Sequence, residues 1–163
     1  MMDAIDFCLN RAATDDIATH LAACDAHFVP PLSQRVAIRD YAERLANFAT
    51  RFEAWAGPEL VGLVAAYFNR PETRTVFISS VSVLPDRQGQ RIGFRLMDLC
   101  LGHATGLGFT QVTLRVAKLN QIARQLYAKH GFRPGQSEEQ DLTMIRELPT
   151  VNGRHPPSRP TRP

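Results

Sequence analysis

Between Arg51 and Leu84 apolar residues are densest, and their spacing reads as strand. In "RFEAWAG" apolar and polar positions alternate, as one strand face against a core requires; a Gly57-Pro58 turn and the strongly apolar "ELVGLVAAYF" follow. The two form a predicted hairpin. "NRPETR" supplies a second turn, and "TVFISSVSVL" a third strand of the same meander. Upstream, Asp6 to Arg11 reads as a first strand. Thr14 is placed to cap a helix over "TDDIATHLAAC", where Ile17, Leu21 and Cys24 recur at helical spacing behind acidic residues in the first turn. The prolines of "HFVPPLS" break that helix. Ser33 is placed to cap a second one, with Val36, Tyr41, Leu45 and Phe48 at near-helical intervals.

Downstream, Ile92, Leu96, Leu99, His103 and Leu107 fall on one predicted helix face, and Gly106 and Gly108 end it. "TQVTLRV" is a strand. "LNQIARQLYAKHGF" is a short helix with Leu119, Ile122 and Leu126 on one side and Gly131 where a left-handed residue belongs, followed by apolar Phe132. "DLTMIREL" closes the series before Pro149. The order is β-α-α-β-β-β-α-β-α-β, with one more short strand around Phe132. Three hairpin-linked strands and one strand-helix-strand crossover predict an α/β (α+β) fold, with a mixed, mostly antiparallel sheet flanked by helices.

Charge refines the domain limits. The net charge of +3 and the sequence pI near 9.0 invite a nucleic-acid reading. Yet "PTVNGRHPPSRPTRP" carries Arg154, Arg159 and Arg162 and no acid, so residues 149–163 hold the whole excess and residues 1–148 are neutral. That Pro- and Arg-rich tail lacks aromatics and is expected to be disordered, and no basic run in the remainder could track a phosphate backbone. One domain, 1–148, is expected ahead of the tail. Cys8, Cys24 and Cys100 are widely spaced without a CxxC, which points to a reducing compartment; Cys100 reads as core. The histidines lack metal-ligand spacing, so no metal is expected. The apolar run Leu63 to Phe68 is too short to span a bilayer, and no leader-like start is seen, so a cytoplasmic protein without membrane contact is expected.

The chemistry gathers in "VSVLPDRQGQRIG". A strand passes through a glycine-bearing turn into a helix start, where backbone amides lack intrahelical partners and the helix dipole is positive. Arg87, Gln88, Gln90 and Arg91 add donors. No Gly-Lys-Ser/Thr follows and GxGxxG is absent, so the stretch is neither a P-loop nor a dinucleotide fingerprint. Taken alone, it is an anion site or a helix start whose glycines ease packing.

Two blocks together resemble the GNAT superfamily of acyl-CoA-dependent N-acyltransferases. The family's phosphate loop reads Q/R-x-x-G-x-G/A after a strand ending in V-x-P; Val83, Leu84 and Pro85 supply that end, and Gln88, Gly89, Ile92 and Gly93 fit the loop. The second block, N-x-x-A-x-x-L-Y-x-K-x-G-F, is matched by Asn120, Ala123, Leu126, Tyr127, Lys129, Gly131 and Phe132. The resemblance is densest from about Thr75 to Phe132. It implies acetyl-CoA as co-substrate and a primary amine of a small molecule, such as an amino sugar, amino acid or polyamine, as acceptor. It also implies cofactor contacts from the backbone of Val81, Ser82 and Val83, from the loop residues Gln88, Gly89, Gln90, Arg91, Ile92, Gly93 and Phe94, and from Asn120. A homodimer is left open.

Arg91 departs from the pattern, holding the place of the first glycine of G-x-G. It is expected to take a helical φ, its guanidinium either reaching a phosphate of the cofactor or facing solvent. Tyr127 matches the family's usual general acid; otherwise it is a buried aromatic with its hydroxyl satisfied locally. Asn120 could hold the cofactor arm, cap the helix, or do both. An amine of pKa about 10 must lose a proton before attack, yet Ser79 and Ser80 stand where relatives place a carboxylate, so the base is unassigned. Glu53 is the candidate carboxylate of the acceptor pocket, with Tyr67 and Asn69 as polar neighbours; the alternatives are a solvated Glu53 and a chain of waters. Phe28, Trp55 and Tyr67 could line an apolar or sugar-stacking surface. The rival readings are a non-catalytic acyl-CoA-binding regulatory module and an acetyltransferase acting on a protein or peptide amine.

Overall fold

The computed structural model describes residues 4–149; the tail expected over 149–163 lies, beyond Pro149, outside them. Among the described residues seven strands form one mixed, mostly antiparallel sheet in the order β1-β2-β3-β4-β5-β7-β6, accompanied by four α-helices. The chain divides into two compact units. Among the described residues the first holds 4–66 together with Ser80–Met97, and the second holds Tyr67–Ser79 and 98–149.

In the first unit β1 (Asp6–Leu9) pairs antiparallel with β2 (Thr50–Ala56), and β2 with β3 (Glu59–Tyr67), joined by the predicted Gly57-Pro58 turn. Helix α1 (Thr14–Cys24) buries Ile17, Leu21 and Cys24 as the spacing predicts. The N-cap position falls on Ala13, one residue before the predicted Thr14, and the Asp16 carboxylate accepts from the Ala13 amide at 2.9 Å. Ser33 caps nothing: its amide and hydroxyl both donate to Asp25, each at 2.7 Å, within a pair of 3₁₀ turns at Asp25–His27 and Leu32–Gln34. Helix α2 therefore starts later, at Ile38, and runs to Phe48. It buries Ala42 and Leu45 and leaves Phe48 outside, because the small Ala49 that follows takes the inward position.

Gly62 on β3 sets where α3 (Ile92–Gly106) begins. A Cβ there would lie 2.7 Å from Ile92 Cγ2 and 3.0 Å from Leu96 Cδ1, so the missing side chain lets the first turn of α3 sit directly on the strand. The buried stripe of α3 runs through Ile92, Leu96, Met97, Cys100, Leu101 and Ala104, while the predicted Leu99 and Leu107 are exposed.

In the second unit the first half of β4 (Thr75–Val83) pairs parallel with β5 (Gln111–Ala117), the predicted crossover. β5 pairs antiparallel with β7 (Asp141–Glu147), and β7 with β6 (Arg133–Ser137), the extra strand expected near Phe132. Helix α4 (Gln121–Lys129) buries Tyr127; of the predicted face Leu126 is half-buried, Ile122 is exposed, and Leu119 is exposed ahead of the helix. Its inward side is set by the aromatic pair Tyr127 and Phe132, whose ring centroids are 6.0 Å apart.

Candidate active site

The predicted cofactor segment closes the first unit's part of β4. Ser82 is buried, and the flanking Val81 and Val83 are half-buried. Strand alternation turns their side chains to the opposite face from Ser82. The Leu84 amide donates to the Val61 carbonyl at 2.9 Å, and a 3₁₀ turn at Pro85–Arg87 leads out. The Gln88 side-chain amide then reaches back to the Val83 carbonyl at 3.2 Å, tying loop to strand end. Gly89 has φ +84°, and a Cβ there would meet nothing within 4 Å, so its backbone conformation, not crowding, calls for glycine.

Arg91 corrects the sequence expectation. Its φ is +61°, left-handed and not helical. The turn into α3 thus places a left-handed residue at the position that the resembled pattern gives to glycine. Adopting it costs an L-residue about 1–2 kcal/mol. The Arg91 carbonyl accepts from the Arg95 amide at 3.0 Å, so Arg91 is the residue on which the helix starts. Its exposed guanidinium lies over the Phe94 ring, 4.2 Å from the centroid. Gly93 sits beside Val83, where a Cβ would make an ordinary 3.5 Å contact. Helix geometry gives the amides of Ile92 and Gly93 no partner within α3, and Gln90 and Arg91 are exposed beside them. This donor-rich, cationic loop, open around Gly89, fits the phosphates of an acyl-CoA.

In the second unit Asn120 caps α4, its Oδ1 accepting from the Ala123 amide at 3.2 Å. Tyr127 is buried, and burial pushes its phenol up to about 12. Three residues on, His130 Nδ1 lies 3.1 Å from the Leu126 carbonyl and Nε2 lies 3.3 Å from Asp98, fastening the C-terminal end of α4 to α3.

The acceptor candidates do not form one group. Tyr67 and Asn69 line a hollow of about 590 Å³ with Arg70, Thr73, Thr75, Phe77 and Thr113. Phe28 is half-buried in the bracket closed by Asp25 and Ser33. Glu53 is fully buried, not solvated. Its Oε1 accepts from the Arg11 amide at 2.9 Å and from Trp55 Nε1 at 3.0 Å; Oε2 accepts from Arg51 Nε at 3.1 Å; the Ala12 amide lies 3.1 Å from both. A carboxylate so engaged holds the end of β1 to β2. Trp55, its donor, is buried too and offers no stacking surface. Ser80 is buried and Ser79 half-buried.

One cluster escaped the sequence reading. His20 Nδ1 lies 2.9 Å from the Leu60 carbonyl and Nε2 lies 2.8 Å from Ser82 Oγ, with Cys24 Sγ 3.7 Å away. Burial lowers the imidazole to about 4 and raises the Cys24 thiol to about 11. The signal was present: His20 is a polar residue inside the apolar stripe of α1, and such a residue needs a partner. Among the described residues no group of three or more His, Cys, Asp or Glu could hold a metal ion, and no helix is long and apolar enough to cross a membrane.

The acetyltransferase (GNAT) family matches residues 14–132, and the chain belongs to that family. It is an N-acetyltransferase, an acyltransferase that uses acetyl-CoA as co-substrate and an amine as acceptor. An uncharacterized N-acetyltransferase of Mycobacterium tuberculosis is 29% identical over 161 residues, covering 91% of this chain and 99% of the relative. Among solved structures, the PaiA N-acetyltransferase of Thermoplasma acidophilum in complex with coenzyme A superposes with a TM-score of 0.72 at 16% identity, over 89% of this chain and 99% of that one. The ribosomal-protein-S18-alanine N-acetyltransferase of Escherichia coli gives 0.70 at 18%, over 93% and 97%. At these identities the two structures speak for the fold.

Proposed function

We propose that this chain transfers the acetyl group of acetyl-CoA to a primary amine of a small molecule by direct attack, with Tyr127 as general acid. Bound acetyl-CoA supplies the activated acetyl thioester. Gln88 to Phe94 hold its phosphates through loop amides and the Arg91 guanidinium, the backbone of Val81 to Val83 aligns its arm, and Asn120 contributes a further contact. The observation that carries the reading is Tyr127, a buried phenol that burial raises to about 12. A phenol in that setting keeps its proton at neutral pH, the form in which a general acid for the departing thiolate must be held. The neutral body of residues 1–148 supports an acceptor other than nucleic acid.

The test is steady-state kinetics on Tyr127→Phe, after a panel of amino sugars, amino acids, polyamines and short peptides has found an acceptor by free-thiol release. The variant is expected to lose at least about tenfold in kcat with the KM for acetyl-CoA unchanged. An unchanged kcat removes Tyr127 from the mechanism. Turnover confined to the peptides moves the acceptor to the protein class, and acetyl-CoA binding without turnover on any amine favours a regulatory module.

A further inference from the structure

We infer that His20 is a positioning residue for acetyl transfer: its buried imidazole fixes Ser82, and through it the end of β4. The inference rests on the proposed function, which gives the backbone of Val81 to Val83 to the cofactor.

His20 is 2% exposed, and a buried ring must have both nitrogens satisfied. The Leu60 carbonyl can only accept, so Nδ1 carries the proton. Nε2 is then an acceptor, and the Ser82 hydroxyl donates to it at 2.8 Å. Desolvation keeps the ring neutral, which preserves that acceptor across the working range of an enzyme. The hydroxyl has one proton, and the 2.8 Å bond to Nε2, shorter than the 3.7 Å from Nε2 to Cys24 Sγ, is where it goes, which sets the side-chain rotamer of Ser82.

The same imidazole thus joins three separate segments at one point: α1, the start of β3 at Leu60, and β4 at Ser82. The other face of β4 is located by Val83 against Gly93 in the first turn of α3. Between these two supports stand the peptide groups of Val81, Ser82 and Val83, whose amides and carbonyls are the proposed cofactor contacts. An apolar pair would fill the same space with little loss of stability, since removing both hydrogen-bond partners together can be nearly neutral. What an apolar pair would not supply is a fixed register between helix and strand.

The test compares kcat, the KM for acetyl-CoA and the melting temperature in wild type, Ser82→Ala, His20→Phe, the double variant and His20→Gln. Ser82→Ala and His20→Phe are each expected to lower kcat/KM for acetyl-CoA about tenfold, because a small displacement of reacting groups is costly. The double variant should be no worse than the poorer single, since one bond is broken in both. His20→Gln, which returns an acceptor to Ser82, should recover at least about threefold over His20→Phe. A merely structural role would lower the melting temperature and leave kcat/KM within about twofold at assay temperatures; that result overturns the inference, as does an additive double variant. Should His20→Phe fail to fold, Ser82→Ala removes a single oxygen and decides the matter. A wild-type chain that gives no thermal shift with acetyl-CoA sinks the proposed function as well, whereas normal wild-type turnover with an indifferent Ser82→Ala sinks this inference alone.

Discussion

Helices α3 and α4 begin in opposite ways. At α4 the chain uses its own side chain: Asn120 Oδ1 takes the Ala123 amide at 3.2 Å. The far end is closed as well, with the Gly131 amide on the Ala128 carbonyl and the Phe132 amide on the Tyr127 carbonyl, both at 3.0 Å. At α3 the start falls on Arg91, whose side chain has donors only and can accept from none of the helix amides. The chain reaches that start through two left-handed residues, Gly89 at φ +84° and Arg91 at φ +61°, and one of them bears a long side chain. A helix start serving only stability consumes its amides. One serving a ligand leaves them available and tolerates backbone strain.

The sharpest way to break this contrast is to place the same methyl group at two left-handed glycines. At Gly131 a Cβ would lie 2.5 Å from Arg146 Nη1 and 3.2 Å from its Cδ, so Gly131→Ala combines strain with a shift of the arginine side chain and should cost about 1–2 kcal/mol in chemical denaturation. At Gly89 nothing lies within 4 Å of a Cβ, so Gly89→Ala should cost only about 1 kcal/mol. The kinetic order should reverse: Gly89→Ala is expected to raise the KM for acetyl-CoA about tenfold, and Gly131→Ala to change it less. Equal KM values in the two variants would remove the distinction.

Asn120 sharpens it next. Asn120→Ala should lower stability by about 1 kcal/mol, the ordinary loss of an N-cap, and Asn120→Asp should keep it, since a carboxylate also accepts from the amide and suits the helix dipole. If Asn120 also holds the cofactor arm through its amide donor, both variants raise the KM for acetyl-CoA. A KM that moves only with stability would leave Asn120 as a cap alone.

How much of this could be read beforehand depended on whether the deciding atoms lay nearby in the chain. The strand at "RFEAWAG", the Gly57-Pro58 turn and Gly131 after α4 are local signals and appear where expected, but the polar positions of that strand are buried too, so its alternation does not mark a solvent face. The faces of α3 and α4 are not local. Periodicity allowed a leucine stripe through Leu99 and Leu107, but the buried positions of that stretch of α3 are Cys100, Leu101 and Ala104, chosen by packing that spacing does not show. Glu53 looked like an open carboxylate because its partners Arg11 and Ala12 come from a segment about forty residues away. Arg51 and Trp55, two residues to either side on the same strand face, were the visible hint. Ser33 was misread for a similar reason: Asp25, across the two prolines, takes both of its donors.

Arg91 carries the smallest effect and the most direct separation of the two causes. Arg91→Gly removes the left-handed strain of about 1–2 kcal/mol and adds the backbone freedom of glycine to the unfolded chain, worth about 0.5–1 kcal/mol in the other direction. The net is a gain of about 0.5 kcal/mol, minus whatever the stacking of the guanidinium on Phe94 contributes. If the arginine is retained for the cofactor, that more stable variant should bind acetyl-CoA less well, with its KM raised about threefold to tenfold, kcat unaltered, and the difference shrinking as salt screens the phosphate contact. Arg91→Lys separates charge from shape, restoring the cation without the planar group that lies over Phe94. A glycine variant equal to wild type in KM at low salt would mean that the strain at Arg91 serves neither cofactor nor fold, and the contrast between the two helix starts would rest on Gly89 alone.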